Sequence, residues 1–404
     1  MEPISYVYTI PYVLHLAVLM ILAYVELYEG QRMKQVVMQL SVLSLVLFYG
    51  LRGYVGMDVF AYHAVFRDLP TLWDWNAEDF FAHSNYEMGF KFYMVVLKSV
   101  FSDYATFQLV NTLFDIILLH CVLRRHATVS YAFSMALFLS FMGMVYMVDQ
   151  LRNCKGLLLF FMSIRYAQKG MFGKYLLMNL LGSLFHVSSL LFILLYPLLR
   201  KQMSRRTVWM LFGMGIVVFF FRLNLFDSLI DWLISCSIPI VSKKLVIYMD
   251  DMTYSSVREM SFGSLYSLVG NFFLMYLICW RYYQRLKTDE KMRFFVNLFI
   301  VYIMSFFFFQ WSLITSTRLP SLFVFGSVVL IPHLLKMIDG VRTKTLYFGF
   351  FSLYLLANIT MNTTNIEYNY RNMMFQTDGL AYRWTVHQKA TQERERFAKP
   401  NEQR

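Results

Sequence analysis

The stretch YVYTIPYVLHLAVLMILAYVEL, residues 6–27, decides the fold class. At ~1.5 Å of helical rise per residue it reaches across a hydrocarbon core of ~30 Å, and it lacks the period-two alternation of a barrel strand. Comparable runs recur at 36–51, 104–123, 130–148, 153–167, 207–221, 262–280, 294–314, 319–338 and 344–361, which makes ten candidate crossings. The expected fold is all-α, a polytopic transmembrane helical bundle.

Composition agrees. Of 404 residues, 58% are apolar and only 15% charged, against roughly 25% charged in an average soluble domain. Collagen, disordered chains, disulfide scaffolds and ordinary cytosolic enzymes are excluded. The formal charge of +12 would suggest nucleic acid in a soluble domain. Here the basic residues cluster between apolar runs, where the positive-inside bias accounts for them, so no nucleic-acid partner is expected and the lipid bilayer is. Cys121, Cys154, Cys236 and Cys279 show no C-x-x-C spacing and read as small hydrophobes. Glu2, with no basic region before the first run, favours a retained first span over a cleaved signal.

Two stretches are ambiguous. Residues 88–101 are short and carry Lys91 and Lys98, and residues 174–199 are interrupted by the polar FHVSS at 185–189. If both crossed once, the clusters Arg124/Arg125 and Arg165/Lys169/Lys174 would lie opposite the other basic loops. An interfacial helix at 88–101 and a re-entrant hairpin at 174–199, with His186 near its tip, bring every strongly basic loop to the cytoplasmic side. Loops 52–87 and 222–261 then face outward. Residues 1–361 read as one membrane domain and 362–404 as a polar, charge-balanced tail.

The outer face collects the chemistry. In RGYVGMDVFAY, 52–62, a helical turn would put Asp58 between Tyr54 and Tyr62, with Arg52 as a donor fork suited to phosphate. An interfacial aromatic belt with a snorkelling arginine is the plainer account of the same residues. Glu87 precedes an interfacial helix, where the macrodipole alone would favour a carboxylate. Arg152 in DQLRNCKG, 149–156, has Asp149 as a candidate ion-pair partner. His186 with Ser188 and Ser189 breaks an apolar run, and an ionisable group at membrane depth is a functional candidate. Arg318 stands at the outer end of a span just before Pro320.

Signatures of ATPases, dinucleotide enzymes, zinc proteases, serine hydrolases and D-x-D nucleotide-sugar enzymes are missing. Guanidinium, carboxylate and imidazole together suit a group transfer that stabilises an anionic leaving group while a hydroxyl is deprotonated.

These residues resemble the EpsG/Wzy-like bacterial polysaccharide polymerases. The resemblance rests on Arg52, Gly56, Asp58 and Tyr62 (R-x-x-x-G-x-D-x-x-x-Y), Glu87, Gly89 and Phe90 (E-x-G-[FY]), an arginine heading the span near Asn153, and Phe185, His186 and Ser188 (F-H-x-S). Family members often carry Arg-Gln at the third motif, whereas this chain has Gln150 before Arg152. The resemblance implies a membrane glycosyltransferase that moves a growing glycan from undecaprenyl diphosphate onto the next lipid-linked repeat unit, on the outer side of the bacterial cytoplasmic membrane. It implies substrate binding by Arg52, Arg152, Arg318, Tyr54 and Tyr62, and a general base drawn from Asp58, then His186, then Glu87. No cofactor and no metal are expected, since arginines can neutralise a diphosphate leaving group. A flippase and a chain-length regulator are implied as pathway partners. A lipid-linked oligosaccharide flippase and a polymer-modifying membrane acyltransferase are the alternative functions.

Overall fold

The computed structural model describes residues 4–29, 32–82, 86–223, 262–310, 313–375 and 379–398. The predicted outer loop 222–261 therefore falls almost entirely outside the described residues, as does Cys236. Helices occupy each of the ten predicted apolar stretches. Tyr6–Glu29, Tyr104–His126, Tyr131–Val148 and Glu290–Phe308 are each long and apolar enough to cross a membrane, and Lys34–Gly50, Leu265–Arg281 and Phe325–Met337 are apolar but shorter. The protein is an all-α, multi-pass membrane protein. One predicted span departs from the expectation: 319–338 divides into Leu313–Ser321 and Phe325–Met337, because the chain tightens into turns at Pro320–Phe323.

The chain forms two compact units, Met1–Pro197 with Leu335–Arg404, and Leu198–Leu334. In the second unit, Ser204 and Asp289 start the Arg205–Phe221 and Glu290–Phe308 helices by accepting from backbone N–H groups of the first turn. Gly215 gives room for the Phe307 ring, which packs edge-on against Phe219. Arg318 is exposed on this unit.

The first unit carries the other predicted site residues, and its helix ends sort into two sets. At one end Ser5 N–H donates to the Thr364 carbonyl (2.9 Å), Gly53 N–H to Arg371 (2.9 Å) and Gly56 N–H to Glu367 (2.9 Å). Arg383 adds bonds to the Tyr54 carbonyl through Nε (3.0 Å) and Nη2 (2.8 Å). The segment read as a polar tail is thus folded back onto the 52–87 loop, and Trp384 and His387 of its Leu380–Ala398 helix lie against Phe60. Overall polarity hid this, because the helix carries only a few apolar contacts, Val386 and Ala390 with Tyr8 and Ile366 and Trp384 with Phe60, beside its backbone-carbonyl bonds. At the opposite end, Glu26 Oε2 accepts from Ser130 Oγ (2.8 Å) and Ala132 N (3.0 Å).

Loop 52–87 has its own core. Its helices Val59–Asp68 and Ala77–Ala82 bury Phe60, Phe66 and Phe80 against Phe90 and Phe107. The predicted interfacial helix is present as Met88–Val100, too short at ~1.5 Å per residue to cross a bilayer core. Lys91 is turned inward, with Nζ on the Phe80 carbonyl (2.8 Å) and over the Phe80 ring (4.6 Å).

A helical hairpin forms over the second ambiguous stretch. Phe172–Ser183 runs out, the chain turns at 184–188, and Ser189–Leu194 with Tyr196–Arg200 runs back. Tyr175 Oη donates to the Phe192 carbonyl, and the Phe172 and Tyr196 rings meet edge-on at 4.8 Å. Each arm is shorter than the ~20 residues a crossing needs, and Gly182 and Gly156 let the hairpin approach the Leu151–Gln168 helix closely.

Candidate functional site

Four elements of the first unit converge at the tip of this hairpin. Phe90 N–H donates to the Leu184 carbonyl (3.1 Å), which ties the start of Met88–Val100 to the tip. Gly89 makes this approach feasible: a Cβ there would lie 2.6 Å from Leu184 Cβ and 2.7 Å from its carbonyl oxygen. Gly156 serves the Leu151–Gln168 helix likewise, since a Cβ would lie 2.5 Å from Ser189 Oγ. Gly89 thus explains the glycine of the E-x-G motif as a point of backbone contact, and Gly156 as a point of close approach to the hairpin.

At the convergence, Glu87 joins two partners. Oε2 accepts from Arg152 Nη1 at 2.7 Å, and Oε1 lies 3.0 Å from His186 Nδ1. Val187 N–H approaches the same Oε1 at 3.4 Å. The Arg152 guanidinium lies over the Tyr86 ring at 4.2 Å, and Tyr86 packs at 5.5 Å from Tyr62. One residue further on, Asn153 Oδ1 accepts from Ser188 Oγ at 2.9 Å. The side chains of Arg152, Glu87 and His186 are 21%, 12% and 23% exposed, so the cluster is sheltered but reachable. Burial pushes the Tyr62 hydroxyl up to about 12, against the opposing pull of Arg152 beside it. Tyr62 is therefore a neutral donor over the ordinary pH range.

Asp58 is exposed just before the Val59–Asp68 helix, and its backbone N–H approaches Asp149 Oδ1 at 3.3 Å. Tyr54 lies outside that helix, so the expected single turn carrying Tyr54, Asp58 and Tyr62 is not formed. Asp149 does not pair with Arg152 either. Its carboxylate accepts from Met57 N–H (2.6 Å) and from the Tyr368 hydroxyl. Burial, with the Asp58 charge second, pushes the Asp149 carboxyl up to about 7. Gly56 has φ +113°, and a Cβ there would meet Asp149 Oδ1 at 2.4 Å, which accounts for the glycine two residues before Asp58.

Arg52 stands apart from the cluster. It is 1% exposed, and its guanidinium bonds to the carbonyls of Tyr49 (2.6 Å) and Met147 (3.0 Å) and to Thr112 Oγ1 (2.7 Å). Those acceptors fasten the end of the second helix to its neighbours and occupy the fork that the sequence reading assigned to phosphate. Arg318 belongs to the other unit.

Sequence reasoning missed a buried charge pair. Lys155 Nζ bonds to Asp115 Oδ1 (3.0 Å) and Asn111 Oδ1 (2.6 Å), with both members of the ion pair 0% exposed. The signal was present in the sequence, as an acid inside the apolar run 104–123 and a lysine inside 153–167.

A carboxylate on imidazole Nδ1 fixes the tautomer that carries its base at Nε2 and stabilises the imidazolium formed by proton uptake. Arg152, bound to the same carboxylate, brings a guanidinium next to that base. The arrangement can accept a proton and neutralise an anion within one small region.

A protein-family model, that of the EpsG family, matches residues 35–376. No curated protein and no solved structure matches the chain.

Proposed function

The chain belongs to the EpsG family, and from that membership we propose that it is a polysaccharide polymerase acting as a glycosyltransferase at the Glu87–Arg152–His186 cluster. The observation that carries this reading is the sharing of one carboxylate between a guanidinium and an imidazole.

In the proposed reaction His186 Nε2 takes the proton of an acceptor sugar hydroxyl as its oxygen bonds to the anomeric carbon of the growing glycan. The bond from that carbon to the lipid diphosphate breaks, and the diphosphate leaves with the electron pair. Glu87 orients the imidazole and offsets its positive charge. Arg152 opposes the charge developing on the diphosphate, where a preoriented donor in a sheltered site is most effective. His186 thus takes precedence over Asp58 as the base, because Glu87 holds its imidazole at Nδ1 and so directs the base to Nε2. Asp58 acts through the fold of the 52–58 turn and the charge it places beside Asp149. Tyr62 and Tyr86 flank Arg152 and offer ring faces to sugars. Tyr54, whose carbonyl binds Arg383, stacks on Phe60 and Tyr104. Arg52 has a structural role.

The substrates are undecaprenyl-diphosphate-linked repeat units, and the reaction takes place on the outer side of the cytoplasmic membrane. A flippase and a chain-length regulator work before and beside it. The polymer ladder tests this. A deletion host complemented with wild type is expected to show lipid-linked polymer, whereas His186→Ala and Glu87→Gln at equal membrane levels stop at one repeat unit outside the membrane. Repeat units trapped inside would point instead to a flippase, and full-length but unmodified polymer to an acyltransferase.

A further inference from the structure

The opposite helix ends of the first unit border an open cavity that the proposed chemistry does not use. It measures about 220 Å³ and is lined by Glu26, Lys34, Thr128, Lys336 and Lys344 with apolar Leu27, Val129 and Leu335. Glu26 lies in the last turn of the Ile10–Glu29 helix, and Lys34 starts the next helix. Lys336 ends Phe325–Met337, and Lys344 lies in the first turn of Val341–Asn362. The first helix separates this end from the Ser5–Thr364 end by ~30 Å, at ~1.5 Å per residue.

Its polar groups are incompletely matched. Lys34 Nζ reaches only the Thr128 carbonyl, at 3.5 Å, and the side chains of Lys336 and Lys344 have no ion pair or hydrogen bond among the described residues. Three ammonium groups against one carboxylate leave an excess of two positive charges, the complement of a phosphate ester. Glu26 is 5% exposed; Oε2 is satisfied by Ser130 and Ala132, but Oε1 is buried without a hydrogen-bond partner among the described residues. A buried acceptor left unmade is costly, so a ligand that brings a donor beside its phosphate would gain from both features. The volume lies below the ~300–1,000 Å³ of pockets for drug-sized ligands, which suits a headgroup. Basic pockets between membrane helices on the cytoplasmic side have the chemistry to hold anionic headgroups.

We propose that this cavity binds a phosphate ester bearing a hydroxyl donor, with the phosphate on Lys34, Lys336 and Lys344 and the donor directed to Glu26 Oε1. A phosphoglycerol lipid headgroup and a soluble glycerol phosphate share that chemistry.

The test is native mass spectrometry and competition binding on the full chain in neutral detergent, with phosphatidylglycerol and glycerol 1-phosphate as probes. One phosphatidylglycerol is expected per chain, bound on the order of a hundredfold more weakly by K34Q/K336Q/K344Q. The arginine triple K34R/K336R/K344R should retain binding, and so should K169Q/K174Q/K201Q, which removes the same charge elsewhere. Displacement of the lipid by equimolar glycerol 1-phosphate would assign the site to a soluble ester, and resistance to it would assign a lipid. Equal weakening in both glutamine triples, or in neither, would overturn the proposal. Polymer synthesis is not the readout, so failure here is distinguishable from failure of the outer-face mechanism.

Discussion

Glu87 and His186 are 99 positions apart in the chain and 3.0 Å apart in space. Their contact is assembled by two independent pieces of backbone, the start of a short interfacial helix and the tip of a hairpin. If it is the catalytic contact, His186→Ala should slow chain elongation by about 10²–10⁴-fold, the usual contribution of a positioned acid–base group. Glu87→Gln should fall in the same range, because the amide no longer compensates an imidazolium. Elongation rates on purified lipid-linked repeat units check this, and wild-type rates in both variants would remove the dyad from the mechanism.

Gly89 sets the spacing of that dyad. Gly89→Ala drives a methyl group against the Leu184 backbone and is expected to separate Glu87 from His186. A displacement of ~1 Å can cost about 10²-fold in rate. Gly173→Ala, on the same hairpin with nothing within 4 Å of the added Cβ, is the matched control and should keep full activity.

Lys155→Met leaves the Asp115 carboxylate buried without its counter-ion, at an expected cost of ~3–5 kcal/mol in stability. The double variant K155M/D115L should regain most of that loss, since a well-packed apolar pair replaces a desolvated ionic one. Thermal unfolding in detergent measures both. A double variant no more stable than the single would mean that the pair has a role beyond compensating its own burial.

Asp149 supplies a pH signature. Its folded carboxyl titrates at about 7, above the ordinary value of 3.8, so the folded state keeps a proton that the unfolded chain has already lost. The stabilisation is complete below about pH 4 and declines as pH rises through 7, a change on the order of a few kcal/mol. Asp149→Asn is neutral throughout and should flatten the unfolding midpoint between pH 4 and 7. An unchanged slope would assign the dependence to other groups.

The fold was legible where physics is local. Run length and hydropathy marked the helices, and the polar interruptions of 88–101 and 174–199 set the short helix and the hairpin apart from the spans. The site was legible in composition but not in pairing. Glu87, Arg152 and His186 each stood out as charged or polar interruptions, yet nothing in their spacing favoured Glu87–Arg152 over Asp149–Arg152. That choice depends on the trajectory of the 184–188 turn, which glycine contacts decide in three dimensions. Arg52 misled for a related reason: an arginine at the end of a span looks the same whether it points to solvent or threads back onto the carbonyls of neighbouring helices.

The hydrogen bond from Ser5 to Thr364 has an arithmetic consequence. Two residues in direct contact occupy the same compartment, so the chain between them must traverse the bilayer an even number of times, whichever of the shorter helices span it. Any topology map of this protein that counts an odd total between these positions has missed or added at least one crossing.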